Sequence, residues 1–565
     1  MPRVDAAYRE DPVKGLWLTL VFMIFALFFV GLGRYGFMEI AEAQNVYNTL
    51  FMEADKINPV LSWLQVLTSH QLPDLAWAPR IPSAFSAVLT LLAFYYIILG
   101  LTHRQTYALA ATGILAFNLP LMVLGHLALA DVVAFGLWLI PALLLMANIY
   151  AERSSFLRLI IAGILLACCL LVRGVGPLCW VLGVVTLTVL IRGGILFNLG
   201  RLNPLPMLLG ALLVLIPWWR TMGFGADLTP LTDLFTLKNI WLTDFLPDPD
   251  QPRWAYGVML LIGFFPWVLF IPVAVWFRLK QWRKSLHSHD PRIGLPLLGL
   301  AWAIAGGIAL YMMPVHNMTA ILYLLPGLSL LVADRLDMVE YKPLHGSYTM
   351  VVLIGTLIVM GSLALISVPQ PLLTQTILID TQKHLLEYFQ TFSPSFYSLF
   401  TVAVRGDGLG STPLVITSIL AMGALFGTTQ LWRGERQGTA LMVGCAWVAM
   451  MLASYATLPR FYEANYGTLR NFLLQARHEM QPRDALVTFG LQRMSIAAEL
   501  GFEPVNLHDS RFLVVLRQQV PHLFVVTTSD MVGQAKKALA PNVTSICEQD
   551  YCLIRTKREQ PKVRR

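Results

Sequence analysis

Apolar residues run along this chain in blocks of about 20, the length that crosses the hydrocarbon core of a bilayer as a helix. About thirteen such blocks follow one another. They start near Gly15, Ile81, Tyr107, Leu127, Leu157, Gly176, Pro204, Tyr256, Gly294, Met318, Tyr348, Ser411 and Gly438. The first block lacks a small-residue cleavage site and reads as a retained helix. The pattern changes from about Pro459. Ala485-Leu-Val-Thr-Phe-Gly490 and His522-Leu-Phe-Val-Val-Thr527 read as buried strands. Ser495 to Leu500 and Met531 to Leu539 read as short helices, and Val543 to Ile546 with Tyr551 to Arg555 as a closing hairpin. The expected fold is an α-helical polytopic membrane protein with a small C-terminal α/β domain. Residues 1–457 form the transmembrane part, with a first outer loop over 34–80, and 458–565 form the soluble domain.

Composition agrees. Of the 565 residues, 56% are hydrophobic and 13% charged, with mean hydropathy +0.62. A soluble protein carries about 25% charged residues, so water is not this chain's main solvent. The formal charge of +8 is explained by the loops. With the N-terminus (Arg3, Arg9, Lys14) in the cytoplasm, the cytoplasmic turns hold Arg104, Arg153 with Arg158, Arg192 with Arg201, the run Arg278 to Arg292, Arg335, Lys342, Arg433 and Arg436. Every such turn is basic, as the positive-inside rule demands. The opposite loops, about 34–80, 220–254 and 369–410, are longer and poorer in Lys and Arg, and the C-terminal domain joins them outside. This places the C-terminal domain on the outer side of the membrane. No basic helix interleaved with aromatics points to nucleic acid. Cys547 and Cys552 flank the turn Glu548 to Tyr551 and form a disulfide across it in an oxidising compartment, or else remain two unpaired thiols.

Charge in or beside a membrane is costly and marks function by default. The first outer loop is densest in it: Arg34-Tyr-Gly-Phe-Met-Glu39-Ile-Ala-Glu42, then Asp55-Lys56-Ile-Asn-Pro59 to Trp63. On a helix, Glu39 and Glu42 share one face. Ala78-Pro-Arg80-Ile-Pro82 puts a cation at the mouth of the second span. Such a group suits a reaction that deprotonates a hydroxyl or amine and holds a lipid phosphate; the plain alternative is an interfacial helix with a solvated face. Asp131 follows His126 at an outer helix end. Arg173 sits where Gly174 and Pro177 interrupt two apolar runs, as tolerated where backbone lines a cavity. Pro217-Trp218-Trp219-Arg220 reads first as an interfacial belt with a cation. No Walker loop, HExxH or CxxC motif is present, and no cofactor is implied beyond a divalent metal ion that could bridge Glu39 and a phosphate.

Several short motifs, in order over nearly the whole chain, resemble those of the GT-C superfamily of polyprenyl-phosphate-sugar glycosyltransferases. The nearest likeness is to bacterial relatives of the protein O-mannosyltransferases and to the aminoarabinose lipid A transferase family. The motifs are Ala78-Pro-Arg80-Ile-Pro-Ser-Ala84, Leu171-Val-Arg173-Gly-Val-Gly-Pro177, Ile216-Pro-Trp218-Trp219, Leu322-Tyr323-Leu-Leu-Pro326, and Leu486-Val-Thr-Phe-Gly490 followed by Ser495-Ile-Ala. The resemblance implies a GT-C type membrane bundle in a bacterial inner membrane, with the N-terminus cytoplasmic and the C-terminal domain periplasmic. It also implies transfer of a sugar from an undecaprenyl-phosphate donor to lipid A, another glycan or a protein, outside the membrane and with inversion at the anomeric carbon. Carried over residue by residue, Glu39 falls at the Glu of an Asp-Glu pair. Asp55-Lys56 resembles a Glu-Lys pair before Pro59 and Trp63. Arg80, Arg173 and Arg220 become phosphate-side cations. Met38 stands where the pattern has the catalytic Asp, and the Lys expected before Tyr323 is absent, with His316 the nearest polar group. Either Glu39 or Glu42 takes over as base, or the chain is a divergent, non-catalytic relative. A transporter or flippase is the other class, but no inverted repeat of broken helices supports it.

Overall fold

The structure, a computed structural model, describes residues 15–38, 42–51, 59–72, 77–221, 255–312, 318–340, 343, 346–367, 412–463, 467–491, 494–500, 502, 504–540, 543–548 and 550–556. A helical segment stands at each of the thirteen places where an apolar block begins. Seven helices among the described residues are long and apolar enough to cross a membrane, and eight if one bent pair is counted. Leu16–Phe29, Gly176–Arg192 and Thr349–Ile358 are shorter apolar helices. The bent pair, Gln105–Ala116 and Leu119–Gly125, turns by 64°. Asn118 makes the break: its side chain accepts from Leu121 N–H at 3.0 Å and caps the second helix, with Pro120 in its first turn. The Ala130–Tyr150 helix is the axis of the bundle, 83% enclosed, whereas Pro204–Thr221 is 17% enclosed and lies at the edge.

The two ends of the bundle differ in chemistry. At one end the basic turns gather. Arg104 pairs with Asp334 at 3.5 Å and with Asp337, and Arg278 also pairs with Asp334, all buried. Arg292 donates to Thr102 O at 3.1 Å, and Arg201 to Ile149 O at 2.9 Å. At the other end lie the first loop, the His126–Ala130 turn and the C-terminal domain. The first loop contributes two helices, Glu42–Phe51 and Pro59–Gln71.

The last span does not stop at residue 457. A π-turn over Ala453–Thr457 carries the helix on to Tyr462. The domain beyond has five strands in the order β2-β1-β3-β5-β4: β1 Ala485–Phe489, β2 Val505–Leu507, β3 Leu523–Thr528, β4 Val543–Glu548 and β5 Tyr551–Thr556. The first three are parallel and the last two antiparallel. The central strands β1 and β3 read as largely apolar runs because both their faces are covered. Leu486, Phe524 and Leu553 pack under the Thr468–Glu479 and Met494–Leu500 helices. Val487, Val525 and Ile554 pack under Ser510–Gln519 and Val532–Leu539. Cys547 and Cys552 are directly opposed in the β4–β5 ladder and joined by a disulfide.

Candidate active site at the domain-bearing end

The first loop is organised by Arg80. It lies in a 3₁₀ turn, Ala78–Arg80, that opens the Ile81–Thr102 span, and its side chain is fully buried. Its Nε donates to Glu42 Oε1 at 2.7 Å and Nη2 to Glu42 Oε2 at 2.9 Å. Nη1 reaches Leu32 O at 2.8 Å and Tyr35 O at 2.9 Å, and Nη2 reaches Gly36 O at 2.6 Å. A guanidinium has five N–H donors, and all five are used. Glu42 is as fully engaged: besides Arg80, it accepts from Ala128 N–H and from Met38 N–H, each at 2.9 Å. The guanidinium also lies over the Tyr35 ring at 4.2 Å. Burial pushes the Tyr35 phenol well above its ordinary range, with Arg80 pulling the other way and Glu42 adding to the rise. In this geometry Glu42 has no lone pair directed at a substrate. Arg80 has no N–H left over, and its five bonds clamp the loop.

A second buried pair lies nearby in the bundle. Arg173 Nη2 approaches Asp131 Oδ1 at 2.5 Å, the two side chains being 5% and 6% exposed. Asp131 is in the first turn of Ala130–Tyr150 and Arg173 in the last turn of Phe156–Arg173, where each suits the helix dipole. Gly174 ends that helix at φ 66°, which glycine adopts without strain. Tyr323 is half-buried at the end of a 3₁₀ turn, Met318–Tyr323. Its ring stacks on Trp138 at 5.1 Å and meets Trp180 edge-on at 5.5 Å, while its carbonyl accepts from Trp302 Nε1 at 2.8 Å. The structure therefore brings together Asp131 and Arg173, and sets Tyr323 within an aromatic wall. Arg220 stands apart, exposed in the last turn of Pro204–Thr221. Glu39, Asp55, Lys56 and His316 lie outside the described residues. Among the described residues no group of three His, Cys, Asp or Glu side chains is placed to hold a metal ion.

Three groups near the first loop carried no motif. Gln65 is fully buried, donates to Pro79 O at 3.2 Å and accepts from Thr49 at 2.9 Å, tying the two first-loop helices to the Arg80 turn. His126 is fully buried with Nδ1 2.9 Å from Met122 O. Burial lowers its pKa, against the raising effect of the Met122 carbonyl. Glu499, from the C-terminal domain, accepts from Phe37 N–H at 2.7 Å. For Glu499 only its place in a short predicted helix was readable, and that says nothing about a partner so far away in sequence.

The family description for dolichyl-phosphate-mannose-protein mannosyltransferases matches residues 57–226. That segment holds Arg80, Asp131, Arg173 and Arg220. Among solved structures, ArnT from Cupriavidus metallidurans bound to undecaprenyl phosphate superposes with a TM-score of 0.68 at 15% identity, covering 96% of this chain and 98% of that one. The chain has the GT-C fold. The same protein in its apo state gives a TM-score of 0.66 at 15% identity, over 95% of this chain and 97% of that one. No curated protein matches the chain by sequence. The GT-C bundle with a small sheet domain read from the sequence thus stands, and the Arg80 turn and the Asp131–Arg173 pair lie within the stretch matched by the family description.

Proposed function

We propose that the protein is a membrane glycosyltransferase that moves a sugar from an undecaprenyl-phosphate donor to an envelope acceptor: lipid A, another glycan or a protein. The observation that carries this reading is the GT-C fold, shared along nearly its whole length with a structure that holds undecaprenyl phosphate. In this reading Glu39 takes the proton of the acceptor hydroxyl or amine. The freed nucleophile attacks the anomeric carbon from the side opposite the phosphate. The bond from that carbon to the phosphate oxygen breaks, configuration inverts, and the carrier leaves as the phosphate. Negative charge grows on the departing phosphate, and cations stabilise it. Arg173 is held ready by Asp131, whose claim on it weakens as a phosphate arrives; Lys56, Arg220 and His316 are further candidates for donor contact. Trp180 and Tyr323, half-buried beside the enclosed Trp138, offer the flat apolar surface that a sugar face or prenyl unit needs. Loop charge supports a cytoplasmic position for the basic end of the bundle. The C-terminal domain is then periplasmic, where a disulfide persists.

A second reading is a non-catalytic relative. Met38 at the position of the pattern's Asp, and Glu42 consumed by Arg80, favour it. One comparison separates the two. Envelope lipids, glycans and glycoproteins are compared by mass spectrometry in cells with the protein, without it, and with Glu39→Gln. A modification present only with the wild-type protein is the expected result. Wild-type product from Glu39→Gln removes Glu39 from the mechanism. No change in any product, with undecaprenyl phosphate still bound by the purified protein, leaves the non-catalytic reading standing.

A further inference from the structure

The first loop is gripped from two sides. Arg80 takes the carbonyls of Leu32, Tyr35 and Gly36 from the bundle side. The other side is held by residues more than 400 positions later in the chain. Arg34 donates to Tyr455 O at 3.1 Å and stacks on the Tyr455 ring at 3.6 Å, within the π-turn. π-turns of this kind often mark functional positions. Glu499, in the Met494–Leu500 helix, accepts from Phe37 N–H at 2.7 Å and from the Tyr462 hydroxyl at 3.2 Å. Arg470 approaches its second oxygen at 3.4 Å, and the Glu499 side chain is 6% exposed. Next to it Ala498 packs with Phe37, Ala43, Val46 and Ala128 in one small apolar cluster. Gly36 makes this approach possible: a methyl group there would overlap Glu499 Oε1 and the Tyr462 hydroxyl.

We propose that Glu499 of the C-terminal domain is a positioning residue for the first loop, fixing the Gly36–Met38 backbone that leads directly into Glu39. This rests on the reading of Glu39 as the base. A carboxylate on the soluble domain is an odd partner for a backbone amide beside the bundle unless that amide has to be held. The bond is charge-assisted and buried, and Tyr462 and Arg470 hold the carboxylate's orientation in turn. With Arg80 on one side and Glu499 on the other, the residues before Glu39 have little freedom to move. The domain then acts as a working part of the site.

The test uses the full-length protein in detergent or nanodiscs, with hydrogen exchange read at Phe37 and at Val487 and Val525 of the sheet. Glu499→Ala is expected to speed exchange at Phe37 by roughly tenfold to a hundredfold, the factor carried by loss of a hydrogen bond to a charged acceptor. Sheet amides stay protected. Glu499→Gln, which keeps a carbonyl oxygen for Phe37, restores most of the protection. Undecaprenyl phosphate binding is unchanged by Glu499→Ala, while sugar product falls and recovers with Glu499→Gln. Gly36→Ala, which displaces the carboxylate without altering the domain, loosens Phe37 in the same way. Unchanged exchange at Phe37 in Glu499→Ala and in Gly36→Ala overturns the proposal. So does loss of undecaprenyl phosphate binding in step with product, which would mean general damage. Product that survives Glu39→Gln while Glu499→Ala still frees Phe37 overturns the base assignment and leaves the tie between domain and loop intact.

Discussion

Replacing Arg80 by Lys is a sharp test of the clamp, because it keeps the charge and changes only the geometry. Arg80 serves five acceptors: both oxygens of Glu42 and the carbonyls of Leu32, Tyr35 and Gly36. An ammonium has three donors on one atom and cannot span them. At least two buried acceptors lose their partner, at about 1–3 kcal/mol each. The expected cost is therefore about 2–6 kcal/mol. Arg80→Met goes further and strands the Glu42 carboxylate, for which about 3–5 kcal/mol is expected. Glu42→Gln is also severe. Each Glu42 oxygen accepts from Arg80 and from a backbone N–H, so an amide nitrogen at either site faces two donors. The double variant Arg80→Met with Glu42→Met removes the stranded charge and should cost about 2 kcal/mol less than the sum of the single changes. Thermal unfolding in detergent gives the global effect. Hydrogen exchange at Met38 and Ala128, whose amides Glu42 accepts, gives the local one. If Arg80→Lys leaves the midpoint and both amides as in the wild type, the clamp is not what holds the loop.

Other outcomes follow from the same structure. Converting Cys547 and Cys552 to Ser opens a loop of five-residue separation. The loop-entropy relation puts the loss at about 2 kcal/mol of domain stability, read by proteolysis of the domain, and thiol labelling should find neither cysteine free in the wild-type protein. Asp131→Asn leaves Arg173 buried beside a neutral partner; the unfolding midpoint should drop by the equivalent of about 3–5 kcal/mol, and Arg173→Met should recover part of it in the double variant. His126 is held below its ordinary pKa by burial, so the unfolded chain binds the proton that the native state refuses. Its contribution is complete above about pH 6.5 and is lost as pH falls below that value. Unfolding midpoints measured down that range should decline, and His126→Gln should flatten the decline.

The bundle was readable because each span is a long apolar block bounded by Gly, Pro or basic residues, and lipid demands that signal. The strands β1 and β3 were readable for the opposite reason: short, largely apolar runs in a polar tail, covered on both faces. The three-residue strand β2 was not, because Val505-Asn-Leu507 buries too little to leave a pattern. The Ser510–Gln519 helix escaped for a related cause, since Phe512, Val514 and Val515 are exposed and blur its apolar stripe. In the site, residue type alone marked Asp131 and Arg173, whose pairing the structure supplies. Type left the partners of Glu42 and Arg80 open. A carboxylate and a guanidinium in an outer loop look the same in sequence whether they face a substrate or each other, and only the partner list separates the cases. Glu499 was invisible because its partner is a backbone amide, which no side-chain pattern records.

The contact between Phe37 and Glu499 spans 462 positions. A ribosome adding about 5–20 residues per second needs roughly 20 to 90 s to cover that distance. Throughout that time the first loop is held from the bundle side alone, by Arg80 and by its contacts with Ala128. Nascent chains and truncated products would therefore carry the spans and the first-loop acids without their final fastening. Assembly order alone would keep the loop from its finished arrangement until the last part of the protein had been made and folded.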